Sequence, residues 1–191
     1  MTRLAAGVLL GVLLTVGTAV AYVRLTGVEA VAAPGALETR AMRWLRGFAT
    51  PAALDDASNP VPLSAEALAE ARAHYADHCA TCHGADGRGD TAVGRGLSPR
   101  PPDVRAPVTQ GQSDGALFHV IERGVRFTGM PAFTTGTPDG ETASWALVRM
   151  IRTMPGWTAA DVDAVRAAMP RPPAEVRREL EEEQFLAGGT Q

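Results

Sequence analysis

The chain has 191 residues, with 18 arginines and no lysine against 21 acidic residues, for a formal net charge of −3. That length holds one domain of ordinary size with appendages, or two small ones, and a charge so near neutral argues against nucleic acid as the main partner. Two cysteines exclude a disulfide scaffold and a metal site with four cysteine ligands, and 46% hydrophobic with 20% charged residues excludes a globally disordered chain.

From Leu4 to Val23 twenty residues run without a charge, bracketed by Arg3 and Arg24. As a helix rising about 1.5 Å per residue this stretch spans roughly the 30 Å of a bilayer core. It reads as a signal anchor over 1–24. A cleavable signal peptide is the competing reading, since Ala19-Val20-Ala21 offers a small-residue cleavage pattern. Either way the remainder is expected outside the membrane's inner face. One Arg at each end gives no orientation.

The segment 25–63 is expected to be a juxtamembrane helix and a linker. Over Ala36 to Phe48, Leu37, Ala41, Trp44, Leu45 and Phe48 share one face and Arg40, Arg43 and Arg46 the other. Such a basic amphipathic helix either lies in the headgroup region or packs on the following domain. Thr50 to Pro62, with Pro51, Pro60 and Pro62, has the composition of a semi-stiff linker without packing of its own.

The domain boundary is expected near residue 63. Ser64 caps a helical pattern in which Leu68, Ala71, Tyr75 and Cys79 recur at helical spacing. That pattern runs into Cys79-Ala80-Thr81-Cys82-His83-Gly84, the arrangement that attaches c-type haem. The chemistry explains the spacing. Two thiols must add across two vinyl groups on one porphyrin, and the next residue must bring an imidazole under the iron. A redox dithiol expects a strand before its CxxC and a helix after it, whereas here a helix precedes and glycines follow. A zinc site lacks further cysteines, although His74 and His78 stand four apart beside the motif.

A sixth ligand has three Met–Pro candidates: Met130-Pro131, Met154-Pro155 and Met169-Pro170. The last two end helical stretches, where proline is an ordinary stop signal, and their methionines read as core filler. Met130 lies in a loop after Gly129, where glycine and proline fix a close backbone approach, and is the expected ligand. His119 falls on the solvated side of a helix over Ser113 to Arg123 whose apolar face is Leu117, Phe118 and Ile121. Asp86-Gly87-Arg88-Gly89-Asp90 reads as a polar turn and lacks the distal Glu of a calcium loop. Arg95 and Arg100 are either partners of a haem propionate, which guanidinium meets bidentately, or solvated surface residues.

With Tyr75 four before the first cysteine, the CxxCH at 79–83, Gly129-Met130-Pro131 and a last helix carrying Trp145, residues 64–154 resemble a class I cytochrome c. The resemblance implies a small all-α fold in which a first and a last helix cross, the latter over Glu141 to Met154. It implies one covalently attached haem c on Cys79 and Cys82, with His83 and Met130 as axial ligands. The surrounding pocket would draw on Tyr75, Arg95, Arg100, Pro101, Phe133 and Trp145. Two departures stand out: Ala67 and Ala71 occupy the crossing where the family often has glycine, and no proline follows the motif closely enough to assign the carbonyl that accepts from the proximal histidine.

Residues 155–191 hold four Arg against seven acids and are expected to add helices over Thr158 to Met169 and Ala174 to Leu186. The second would be a solvated helix with Arg177–Glu181 and Arg178–Glu182 pairs, resting on the haem domain or docking a basic partner. The whole is expected to be a membrane-tethered, single-haem respiratory electron carrier of the bacterial inner membrane, its haem domain periplasmic, or soluble in the periplasm if the leader is cleaved. It would exchange electrons with partner proteins and is no stand-alone enzyme, because no base or nucleophile constellation is present. A gas-binding haem sensor and a subunit of a larger oxidoreductase are the alternatives.

Overall fold

The computed structural model describes residues 2–27, 29–30, 34–171 and 173–187. Residues 1, 28, 31–33, 172 and 188–191, parts of the expected anchor, juxtamembrane segment and tail, lie outside the described residues, as does the side chain of Arg46.

In chain order come α1 (Thr2–Thr26), α2 (Ala36–Ala49), α3 (Ala52–Asp55), α4 (Ala65–His78), α5 (Ala80–His83), α6 (Ala92–Arg95), α7 (Pro107–Gln110), α8 (Asp114–Arg123), α9 (Pro138–Thr153), a 3-10 turn (Met154–Gly156), α10 (Ala159–Ala168) and α11 (Pro173–Leu186). The described residues are all-α, with no strand among them. Helix α1 is long and apolar enough to cross a membrane, with mean hydropathy 2.2 over its most apolar window, and none of its residues is buried in the protein.

Helix starts follow side-chain chemistry. The Ser64 hydroxyl accepts from the Ala67 N–H at 3.1 Å, Ser113 from Ala116 at 3.1 Å and Thr137 from Gly140 at 3.2 Å. At α10 Thr158 and Asp161 form a reciprocal capping box, and the Thr158 backbone and hydroxyl donors hold the exposed Asp161 carboxyl below its ordinary range.

Helices α4 and α9 make the most extensive packing in the fold. Ala71 at 2% exposure and the fully buried Ala76 of α4 join Leu147, Val148 and Ile151 of α9 in one core. Alanine in place of glycine therefore leaves this interface closed. Helix α8 packs on α9, and Trp145 stacks on Phe118 with ring centroids 4.2 Å apart.

The packed unit extends past both expected ends. Helix α10 packs against α4 with Val162 and Val165 buried, and Arg72 meets Asp161 at 3.7 Å. At the other end, the Pro-rich stretch expected as an unpacked linker is docked. Asn59 and Val61 are buried, the Asn59 amide donates to the Trp145 carbonyl at 2.9 Å, and Arg149 donates to the carbonyls of Val61 at 2.8 Å and Asn59 at 3.1 Å. Proline there supplies a stiff strap whose carbonyls are free to meet a guanidinium. In α11 Leu180 and Phe185 are exposed. Among the described residues the ion pair at that end joins Arg171 to Glu179 in place of the expected four-apart pairs.

Candidate haem site

Helix α4 delivers its last turn directly into the cysteine motif: the Cys79 N–H donates to the Tyr75 carbonyl at 2.9 Å. One further turn, α5, follows. The N–H groups of Cys82 and His83 donate to the Cys79 carbonyl at 3.1 and 2.9 Å, which sets the two sulfurs one turn apart. Gly84, at φ +79, lets the chain leave, and the Tyr75 hydroxyl donates to its carbonyl at 2.8 Å. Burial pushes that phenol well above its ordinary range.

The segment after the motif braces it. The Thr91 hydroxyl donates to the Thr81 carbonyl at 2.8 Å and accepts from the Gly94 N–H at 2.8 Å. The Gly89 N–H donates to the His83 carbonyl at 2.7 Å. Gly89 sits at φ +74, and a Cβ there would lie 2.3 Å from the Pro101 carbonyl oxygen. Only glycine lets residues 101–102 come down beside the motif.

His83 Nδ1 is buried without a hydrogen-bond partner of normal geometry. Burial lowers the ring's pKa, and the Pro102 backbone acts in the opposite sense. Pro102 lines the same cavity as His83. Both cysteines are free thiols. Burial first, and the neighbouring Cys82 second, push Cys79 up to about 12, the reverse of the lowered pKa that a redox dithiol uses.

A cavity of about 320 Å³ opens on this turn, lined by Tyr75, Cys79, Cys82 and His83, by Leu97 and Arg100 to Pro102, by Leu117, Val120 and Ile121 of α8, by Met130 and Phe133, and by Leu147 and Ile151 of α9. The methionine loop is tied at both ends. The Val125 N–H donates to the Met130 carbonyl at 3.1 Å and the Phe133 N–H to the Ile121 carbonyl at 3.1 Å. The Thr128 hydroxyl donates to the Val125 carbonyl at 2.8 Å and accepts from the Met130 N–H at 3.1 Å. Gly124, at φ +66, has no room for a Cβ beside Met130 to Ala132.

The structure brings Tyr75, Cys79, Cys82, His83, Arg100, Pro101, Met130 and Phe133 to one cavity. It does not bring Arg95, which pairs with Asp90 at 2.7 Å on the surface, nor Trp145, which stacks in the core beside α8. Met154 and Met169 pack in or against the core. Gly89, Thr91, Pro102 and Gly124 were missed; the glycines after the motif read only as a polar turn.

The residues fit a haem: two free thiols and an orphaned buried imidazole nitrogen line one largely apolar cavity. An all-α unit with its terminal helices packed across each other and this turn between them is a class I c-type cytochrome domain. Residues 66–149, under half of the chain, match the family described as "Cytochrome C oxidase, cbb3-type, subunit III". No curated protein matches the chain. The domain is that of an electron-transfer haem protein, and its partners are redox proteins.

Proposed function

We propose that this protein is a membrane-tethered, single-haem carrier of single electrons, held by α1 in the bacterial inner membrane with its haem domain on the periplasmic side. The observation that carries the reading is the convergence of Cys79, Cys82, His83 and Met130 on one apolar cavity. Cys79 and Cys82 would hold one haem c by thioether bonds, and His83 Nε2 and Met130 Sδ would bind its iron. When bound, the haem supplies a one-electron iron couple, and histidine–methionine ligation raises its potential. The chain's own residues bury the site with α8 and α9, brace the His83 turn through the Gly89 N–H, and fix the methionine loop through Thr128. Arg100, which lines the cavity, would meet a propionate through its guanidinium.

Whole-protein mass and a denaturing haem assay test this together. One haem retained per chain, and lost in the Cys79→Ser/Cys82→Ser double variant, is expected; haem that extracts freely from the native chain would overturn the reading.

The family description favours one second reading, a subunit of a terminal oxidase. Purification in mild detergent with other haem-bearing chains would support that reading over a free carrier.

A further inference from the structure

Helix α2 presents an apolar stripe that none of the described residues covers. Leu37 is 82% exposed, Trp44 70% and Phe48 76%, and α2 packs extensively on no other helix among the described residues. Trp44 stacks on Phe48 with centroids 5.6 Å apart, so the stripe is preformed. By sequence the helix carries Arg40, Arg43 and Arg46 against Glu38, and Arg40 and Arg43 are exposed. An uncovered stripe with tryptophan at its centre and arginines on the other face matches an anionic membrane surface. The apolar α1 stands only nine residues upstream.

The joint to the haem domain is short. Thr50 and Pro51 alone separate α2 from α3. Beyond α3 the chain is seated on the domain: a Cβ on Gly115 of α8 would lie 1.5 Å from the Leu54 carbonyl oxygen, and Asn59 and Val61 are bonded to α9. Two extended residues reach about 7 Å.

We propose that α2 lies in the headgroup layer of a bilayer rich in anionic phospholipid and, through the docked strap at 54–61, holds the haem domain at the membrane surface and not on a flexible stalk. The proposal deepens the membrane-tethered reading given above, and its own ground is the uncovered stripe of α2. The arginines meet lipid phosphates, and Leu37, Trp44, Leu45 and Phe48 enter the acyl boundary.

The test uses the full-length haem-loaded protein with vesicles of phosphatidylglycerol and phosphatidylcholine, plain or brominated high on the acyl chains. Trp44 emission is taken as the difference from Trp44→Phe, and the brominated-to-plain ratio cancels quenching by haem. Brominated lipid should lower Trp44 emission roughly twofold, as for a ring in the headgroup–acyl boundary. Arg40→Glu/Arg43→Glu, which alters only exposed side chains, should weaken the quenching, as should vesicles of phosphatidylcholine alone. Equal emission in plain and brominated anionic vesicles would overturn the proposal, whether water or a second copy of the chain covers the stripe. Flotation after carbonate washing reads α1 separately. Quenching without flotation would overturn the anchor and leave α2 standing; flotation without quenching would do the opposite.

Discussion

Gly89→Ala tests how the chain after the cysteine motif is brought against His83. Gly89 has φ +74, and its built Cβ lies 2.3 Å from the Pro101 carbonyl oxygen and 3.0 Å from the carbonyl carbon. A left-handed alanine costs about 1–2 kcal/mol. Relieving the overlap means moving backbone by about an ångström, which adds about 1–3 kcal/mol as forced overpacking does. The expected loss is therefore about 2–5 kcal/mol, read as a lowered urea midpoint for the haem-loaded protein. The movement also displaces Pro101 and Pro102, which line the cavity with His83, and the altered setting of that ring should shift the midpoint potential. Gly156→Ala is the control, because nothing lies within 4 Å of its Cβ, and it should stay within about 1 kcal/mol of wild type. A Gly89→Ala protein that unfolds at the wild-type midpoint with an unchanged potential would refute the reasoning.

Gly115→Ala, ordinarily worth about 1 kcal/mol of helix propensity, should instead destabilise, because its Cβ would overlap the Leu54 carbonyl; in urea titrations its loss should be less than additive with Asn59→Ala, since both release one strap. Ser144→Ala removes the hydroxyl that donates to the buried Glu122 carboxylate at 2.6 Å and should cost about 1–3 kcal/mol by thermal melting, much of it recovered when Glu122→Met is added. Burial first, and His78 second, hold His74 below its ordinary 6.5, with Asp77 acting the other way. The unfolded chain then binds this proton at higher pH than the folded one, so stability falls as pH drops through 6.5 toward the folded value; His74→Asn should flatten that limb of the stability–pH profile, and an unchanged slope would exclude His74 as its source.

Local chemistry was readable where it acts locally. Ser64, Ser113 and Thr158 announce helix starts because a hydroxyl caps the N–H three residues on, and the CxxCH motif names its own ligand geometry within one turn. What failed was long-range. Asn59 meets Trp145 across 86 residues and Arg149 meets Asn59 across 90, so a proline-rich stretch with linker composition becomes a packed strap. Arg95 and Arg100 look equivalent along the chain, yet Asp90 captures the first and the cavity receives the second. Trp145 has the residue type of a pocket wall, but Phe118 stacks on it. The glycines at 89 and 94 carry their meaning in contacts with Pro101 and Cys82, and no local pattern encodes those.

The most direct test of a histidine–methionine haem is the far-red spectrum of the ferric protein at neutral pH, wild type beside Met130→Ala. The sulfur-to-iron charge-transfer band should be present in the wild type and absent from the variant, and only the variant, once reduced, should bind carbon monoxide rapidly. A wild-type protein without the band that binds carbon monoxide at once would contradict electron carriage through a closed iron and favour a gas-binding site.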